Sequence, residues 1–286
     1  MKKINKIGFI IVNYNDYFNT SKLLDNIKNY SAIDLIVVVD NNSNDESYKL
    51  LKKYENNKIK IIKNNSRHFS SGLNFGAKFL INKIGDCTII FSNSDIIIKE
   101  EKDLIELSNY INDDNVVVGP VVNEHNVLNR GWHMPTVNSE IIFNLAYLGK
   151  KHKAKVLNYE EKDYKNKTTQ VDVVSGCFFL VQSKFLEKVN YFDENTFLYY
   201  EEQILATKVK NENKKEIIVN DVTIFNNHSI SIDKSLKRIN KHKILKKSQR
   251  YFCKNYLHAN IFQMFLLYLT DYLFRIILLI RGIFRI

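Results

Sequence analysis

Along the first third of the chain, short apolar runs alternate with longer stretches in which apolar residues return every three to four positions. Residues 8–12 form the first run. The second, LIVVV at 35–39, is the nearly unbroken β-branched type of a strand buried on both faces. Residues 58–62 and 87–91 supply two more strands, and 96–98 a short extended piece. Between them Leu23, Leu24, Ile27 and Tyr30 recur at helical spacing. Tyr48, Leu50, Leu51 and Tyr54 follow a capping-box pattern made by Ser43 and Glu46, and 72–84 reads as a third helix. Four strand-helix units predict an α/β fold with a mostly parallel nucleotide-binding sheet flanked by helices. Ligands then bind at the C-terminal ends of the strands.

The second half is less regular. Residues 123–170 show no clear periodicity and are expected to form a specificity insert. Strands resume over 171–181, helices are expected over 183–189 and 201–210, and 216–219 is again strand-like. Lys and Arg dominate 234–254, and 261–286 is rich in Leu, Ile and Phe. Polar residues interrupt that last stretch too often for a spanning helix, which needs about 20 mostly apolar residues. On a helical wheel Gln263, Thr270, Asp271, Arg275, Arg281 and Arg285 share an arc of about 140°, with Leu267, Phe274 and Leu278 intruding. Two readings follow: an amphipathic helical tail lying on an anionic membrane surface, or a helix packed on the rest of the chain or on a second subunit of a homo-oligomer.

Composition narrows the class. With 286 residues, 45% hydrophobic and 26% charged, the chain is neither disordered nor a multi-span membrane protein. The excess of 42 basic over 31 acidic residues gives +11, so an anionic partner is expected: nucleotide, phosphoglycan, nucleic acid or lipid headgroup. No nucleic-acid-binding motif is present, which removes that class. Cys87, Cys177 and Cys253 are odd in number and widely spaced, which favours a reducing compartment and argues against zinc. Lys2, Lys3 and Lys6 precede an apolar run that ends at Asn13, too short for a signal-peptide core, so a cytoplasmic protein is expected.

Candidate chemistry sits where the strands end. Asp40 is followed by Asn41, Asn42, Ser43 and Asn44, a polar cluster that either accepts from a nucleoside or simply makes the turn. Asn13, Tyr14 and Asn15 close the first strand in the same way, with neither GxGxxG nor GxxxxGK[ST] after it. Asn93, Ser94 and Asp95 place a carboxylate at the end of the fourth strand, suited to Mg²⁺ or Mn²⁺ beside a diphosphate and equally able to form a turn. Glu201 and Glu202 open a helix behind the aromatic stretch 197–200. Acids there complement the helix dipole, and an apolar setting also raises a carboxylate towards general-base use.

Taken in order, VNYN at 12–15, VVVDNNSND at 37–45, SGLNFGAKF at 71–79, FSNSD at 91–95, VSGCFFLV at 174–181, FDENTFLYYEEQIL at 192–205 and NNHSIS at 226–231 resemble bacterial family 2 glycosyltransferases of the GT-A fold. The likeness points to the rhamnosyltransferase-like branch that builds surface polysaccharides, and covers about residues 5–232. It implies a GT-A domain over 1–232, with 123–170 a variable acceptor-side insert and 233–286 a basic, amphipathic helical segment.

The resemblance also implies roles. Asp40 binds the nucleoside together with Asn13, Asn15 and Asn41, and Asn74 with Gly76 lies by the nucleotide. Asp95 takes the last position of a DxD-type metal motif whose first position is Asn93, and His228 completes the metal shell. Glu202 stands at the catalytic Asp of the family's Glu-Asp pair, one methylene longer, with Glu201 supporting it. Gly176 fits the tight strand start near the acceptor. The implied reaction is inverting transfer from a nucleotide diphospho-sugar to a glycan or lipid-linked glycan, aided by Mg²⁺ or Mn²⁺, at the inner face of the cell membrane. A sugar nucleotidyltransferase, or a catalytically silent glycan-binding or scaffold subunit, are the other readings; no Gly-rich, Arg/Lys-bearing loop follows strand one, which counts against the former.

Overall fold

The β-branched runs become the strands of one ten-stranded sheet, and the segments at helical spacing become helices that cover its two faces. The computed structural model describes residues 6–227 and 238–283. Strands β1 (Lys6–Asn13), β2 (Leu35–Asn41), β3 (Ile59–Asn64) and β4 (Cys87–Ser92) run parallel in the order β3-β2-β1-β4. β2 is buried at every position, as its unbroken apolar run requires. Helices α1 (Tyr17–Ile27) and α2 (Ser47–Leu51) bury Leu23, Leu24, Ile27 and Leu51 against Phe9, Ile11 and Val38 on one face. Helix α3 (Phe69–Ile84) lays Leu73, Ala77 and Leu80 on Ile10, Val37 and Val39 of the other. The sheet order turns back between β1 and β4, the switch point at which such sheets bind ligands.

The capping box at Ser43 and Glu46 does not form. α2 starts at Ser47, and Ser43 Oγ instead accepts from Asn13 Nδ2 and the Asn15 amide, tying the β1 and β2 loops together. After the two-residue strand β5 (Ile96–Ile97), helix α4 (Glu101–Asn109) and strand β6 (Asn115–Glu124) occupy an interval for which the pattern assigns no element. Gly119 and Pro120 sit inside β6 and break its strand signature. The fold accommodates Pro120 where the parallel ladder to the next long strand shifts register, between Val219 and Thr223.

The insert carries β7 (Val127–Asn129), α5 (Val137–Phe143) and α6 (Ala146–Leu157). A capping box does form here, where Thr136 and Ser139 exchange hydrogen bonds at the start of α5. The expected strand over 171–181 is two strands, β8 (Thr168–Val171) and β9 (Phe178–Gln182), and residues 172–177 link them. β9 inserts antiparallel between β4 and β6 and is followed by α7 (Ser183–Lys188). Helix α8 (Glu201–Asn211) leads into β10 (Lys215–Asn226), longer than the strand-like 216–219. β10 pairs parallel with β6 and antiparallel with β8 and β5.

Helices α9 (Arg238–Asn255) and α10 (Ile261–Ile283) pack against α5. From Gln263 to Arg275 the polar arc of α10 is the packed side, and Arg285 lies outside the described residues. Gln263 Nε2 donates to Asn138 Oδ1, Thr270 Oγ1 accepts from Asn144 Nδ2, and buried Asp271 accepts from Arg250 and Arg275 and contacts His242. Its opposite side exposes Ile261, Phe262, Phe265, Tyr268, Leu269, Tyr272 and Leu273. Among the described residues no helix is long and apolar enough to cross a membrane.

Candidate active site

A cavity of about 520 Å³ opens at the C-terminal ends of β1 and β4 and is walled by residues 175–177 and the start of α8. Asn41, Asn93, Asp95, Gly176, Glu201 and Glu202 all line it, so residues separated by 161 positions in sequence meet at one site. Asn13, Asn15, Asp40, Asn74 and Gly76 do not line it, and His228 lies outside the described residues.

The chemistry of the polar loops explains this division. Asp40 is fully buried, with Oδ2 accepting from Asn13 Nδ2 at 3.0 Å and Oδ1 from the Ser43 amide at 3.0 Å. Asn13 Oδ1 accepts in turn from Thr20, and Asn15, with φ of 53°, exchanges two hydrogen bonds with Asn44. These groups shape the loops behind the site, and Asn41 is the member that reaches the cavity. Its own amide is braced by Asn64 Nδ2 and the His68 carbonyl.

Asn74 and Gly76 also act from behind the cavity lining. Asn74 Nδ2 donates to the Phe192 carbonyl and to Glu194 Oε1, and its Oδ1 accepts from the Phe192 amide, so it fixes a cavity wall that it does not itself line. Gly76 is a packing glycine, since a Cβ there would come within 2.9 Å of Ile10 and Val39 where α3 crosses the sheet.

The turn at 93–95 is held from both sides: the Asn93 amide donates to the Cys177 carbonyl at 2.8 Å, and Ser94 Oγ donates to Asp16 Oδ2 at 2.7 Å. Asp16, Arg67, Glu124 and Trp132 are cavity residues outside the assigned candidates, and Asn226, which opens the NNHSIS motif, lines the cavity without having been given a role. Trp132 is the chain's single Trp, which was a usable signal; its backbone exchanges two hydrogen bonds with Val173. Asn226 Oδ1 is buried and finds no hydrogen-bond partner among the described residues. Asp95 and Glu124 carry carboxylate oxygens and Asn226 an amide oxygen, the donor type preferred by Mg²⁺ and Mn²⁺. Among the described residues no three His, Cys, Asp or Glu side chains are grouped to hold a metal by themselves.

The glutamates enter from a strained segment. Tyr199 and Tyr200, the residues before α8, have φ of 75° and 72°, a left-handed conformation costing about 1–3 kcal/mol for each such residue. Glu201 follows, almost fully buried, with Oε1 finding no hydrogen-bond partner among the described residues. Burial, reinforced by the charge of Glu202, pushes its carboxyl up to about 8. Burial also raises Glu202, opposed by its backbone amide and by Lys153. The Glu202 carboxylate lies against Gly176, with Oε2 3.4 Å from where a Cβ at that position would stand. A buried carboxylate pair poised above its ordinary range suits proton abstraction from a hydroxyl.

Comparison with known proteins places this geometry. Agl10, a low-salt glycan biosynthesis hexosyltransferase of Haloferax volcanii, is 25% identical over 220 residues, covering 73% of this chain and 63% of that protein. The chain thus spans less than two thirds of the length of this curated relative. Among solved structures, GalNAc-T7 with UDP, GalNAc and Mn²⁺ superposes with a TM-score of 0.60 at 14% identity, over 81% of this chain and 45% of the other. The mannosyltransferase PcManGT of Pyrobaculum calidifontis, in complex with GDP-Man and Mn²⁺, gives 0.56 at 13%, over 94% and 74%. Residues 1–349 of S. aureus TarS give 0.52 at 15%, over 87% and 72%. At such identities the likeness carries the fold, which is GT-A. Residues 9–189 match the family model described as Glycosyl transferase family 2. Because that match runs from β1 through β9 and takes in the parallel strands whose ends form the cavity, this chain belongs to glycosyl transferase family 2.

Proposed function

We propose that the protein is an inverting glycosyltransferase that moves a sugar from a nucleotide diphospho-sugar to a hydroxyl of a glycan or lipid-linked glycan in surface-polysaccharide assembly. The observation that carries this reading is the meeting of Asp95 and the Glu201–Glu202 pair in one cavity at the sheet's switch point. Asn41 is placed to meet the nucleoside, and Asp40 acts through the loop that presents it. Asp95 and Asn226 would hold Mg²⁺ or Mn²⁺ with the diphosphate oxygens. A bound cation neutralises the leaving diphosphate as a Lewis acid.

Glu202 then takes the proton of the acceptor hydroxyl while that oxygen attacks the anomeric carbon and the bond to the diphosphate oxygen breaks. One displacement inverts the anomeric configuration, and no covalent nucleophile is needed. Glu201, beside it and deeper, supports Glu202 by keeping its own proton. Gly176 leaves room for the acceptor over Glu202, and Trp132 supplies an apolar face on which a sugar ring can stack.

Residues 1–232 make up the catalytic domain and 233–286 a membrane-docking segment in this reading. The exposed side of α10 is apolar and free of charge over its described part, while Lys243, Lys247 and Lys254 are exposed on α9. An apolar stripe with a basic neighbour suits the anionic inner face of a cell membrane. The test is transfer: purified protein is offered UDP-, GDP- and dTDP-sugars with Mn²⁺ or EDTA, and free nucleoside diphosphate is measured with and without glycan acceptors. Absence of acceptor-dependent release from every donor would refute the reading.

A further inference from the structure

The left-handed backbone at Tyr199 and Tyr200 needs something to hold it, and the groups that do so lie on the insert and the C-terminal helices. The Tyr200 hydroxyl donates to Glu140 Oε2 at 2.9 Å, and its ring packs on Phe252 at 5.3 Å between centroids. The same Glu140 oxygen accepts from Gln249 Nε2 at 2.6 Å. Gln249 Oε1 accepts from Lys246, which also donates to Asn144, and Asn144 donates to Thr270 on α10 at 3.0 Å. One residue earlier, Ser248 Oγ donates to the Leu198 carbonyl at 2.8 Å. A continuous run of buried polar contacts therefore leads from α10, through α9 and α5, to the residue immediately before the two glutamates.

Resting on the glycosyltransferase reading, we infer that Glu140 and Tyr200 are positioning residues, through which α9 and α10 hold Glu201 and Glu202 in their reactive register. Neither touches the cavity's reacting centre: Glu140 and Tyr200 do not line it, whereas Tyr199, Glu201 and Glu202 do. Tyr200 is the residue preceding the first turn of α8, so its rotation sets the direction in which both carboxylates leave the helix. Burial raises the Glu140 carboxyl against the hydrogen bonds from Gln249 and Tyr200; a Gln in its place would keep an acceptor for both Tyr200 and Gln249. The basic, apolar-faced C-terminal helices thereby belong to the catalytic apparatus as well as to any membrane contact.

The test compares Glu140→Ala, Glu140→Gln and Tyr200→Phe in the full chain. Glu140→Ala is expected to lower kcat about tenfold or more, the scale on which misplaced catalytic groups act, with nucleotide affinity within twofold of the parent. Glu140→Gln is expected to restore most of that loss, and Tyr200→Phe, which deletes only the hydroxyl, to fall between. A second readout needs no turnover: amide exchange in 198–204 should quicken in Glu140→Ala while β1 to β4 stay protected. Unchanged exchange there, or a kcat equal to the parent's in Glu140→Ala, overturns the inference, as does failure of Gln to rescue. If the parent itself releases no nucleotide from any donor, the proposed reaction fails, and the exchange measurement still decides whether Glu140 holds the segment.

Discussion

Asn74 grips the backbone of Phe192 on both sides of its Cα: Nδ2 donates to the Phe192 carbonyl and Oδ1 accepts from the Phe192 amide, each at 2.9 Å. Phe192 packs edge-on against Phe91 of β4, and lines the cavity. One amide on α3 thus fixes an aromatic wall of the site from 118 residues away in sequence. Asn74→Ala leaves two buried backbone groups without partners and is expected to cost about 2–4 kcal/mol in urea unfolding, from the usual penalty for such groups. Under conditions where the variant remains folded, nucleotide affinity should change less than twofold. A large loss of affinity with unchanged stability would return Asn74 to the nucleotide site.

The same residue shows what the sequence permits and where it stops. The β-branched run LIVVV and the helical spacing of Leu23, Leu24 and Ile27 report local burial, and the parallel half of the sheet follows from them. The residues at the strand ends are polar whether they face a ligand or face each other. Asp40 and Asn41 are neighbours of similar chemistry, yet one is sealed behind the loops and the other reaches the cavity. Only the three-dimensional pairing of Asp40 with Asn13 and Ser43 separates them. The polar arc of α10 was legible as a periodicity, but whether it meets water or protein depended on partners on α5 and α9. β6 was hidden by its own Gly119 and Pro120.

Glu201 makes stability depend on pH in an unusual direction. Its carboxyl is held near 8 by burial and by Glu202, against an ordinary value of 4.5 in the unfolded chain. Between those values the folded state keeps a proton that the unfolded state releases, so stability falls as pH rises and levels off above the folded value. Glu201→Gln removes that proton exchange. The variant should gain thermal stability over the parent at about pH 9 and show little difference at about pH 4. Parallel melting curves of the two proteins across the whole range would show the assignment to be wrong.

Glu202→Gln keeps size and hydrogen bonding while removing the proton acceptor. It is expected to lower kcat by about a hundredfold or more, the usual scale for a general base, with donor affinity nearly unchanged. Glu202→Asp keeps a carboxylate one methylene shorter and is expected to retain turnover. Equal, full activity of Glu202→Gln and Glu201→Gln would exclude the pair from the chemistry. A dead Glu201→Gln beside an active Glu202→Gln would move the base by one position.

Asp95→Ala should weaken nucleoside diphosphate binding in Mn²⁺ by tenfold or more, and should erase the difference between binding in Mn²⁺ and in EDTA. Asn226→Leu should give a smaller loss of the same kind. It replaces a buried oxygen that finds no partner among the described residues, so stability should hold or rise. Titration calorimetry with and without the metal separates these effects. Parental, metal-dependent affinity in Asp95→Ala would take the 93–95 turn out of the donor site.

The exposed stripe of α10 gives the last prediction, and its packed side dictates how to test it. Removing the whole helix would uncover Leu267 and leave Asn144 without Thr270, so a truncated protein would report damage to the core as well as loss of a surface. Point changes on the outer side avoid this. Phe262 and Phe265 are 63% and 59% exposed, so converting both to Ser should leave the melting temperature within a few degrees of the parent. Each Phe that enters the headgroup boundary contributes on the order of 1.5–3 kcal/mol of transfer free energy when fully buried. Losing two should therefore lower partition onto vesicles of mixed phosphatidylglycerol and phosphatidylcholine at least tenfold. Replacing Lys243, Lys247 and Lys254 by Gln should act differently, weakening binding to anionic vesicles at low salt and little at high salt, where these charges are already screened. Equal binding of parent and double-Ser protein in vesicle flotation would show that this apolar side serves another contact, and a dimer seen by light scattering in the parent and lost in the double-Ser protein would identify that contact as a second copy of the chain.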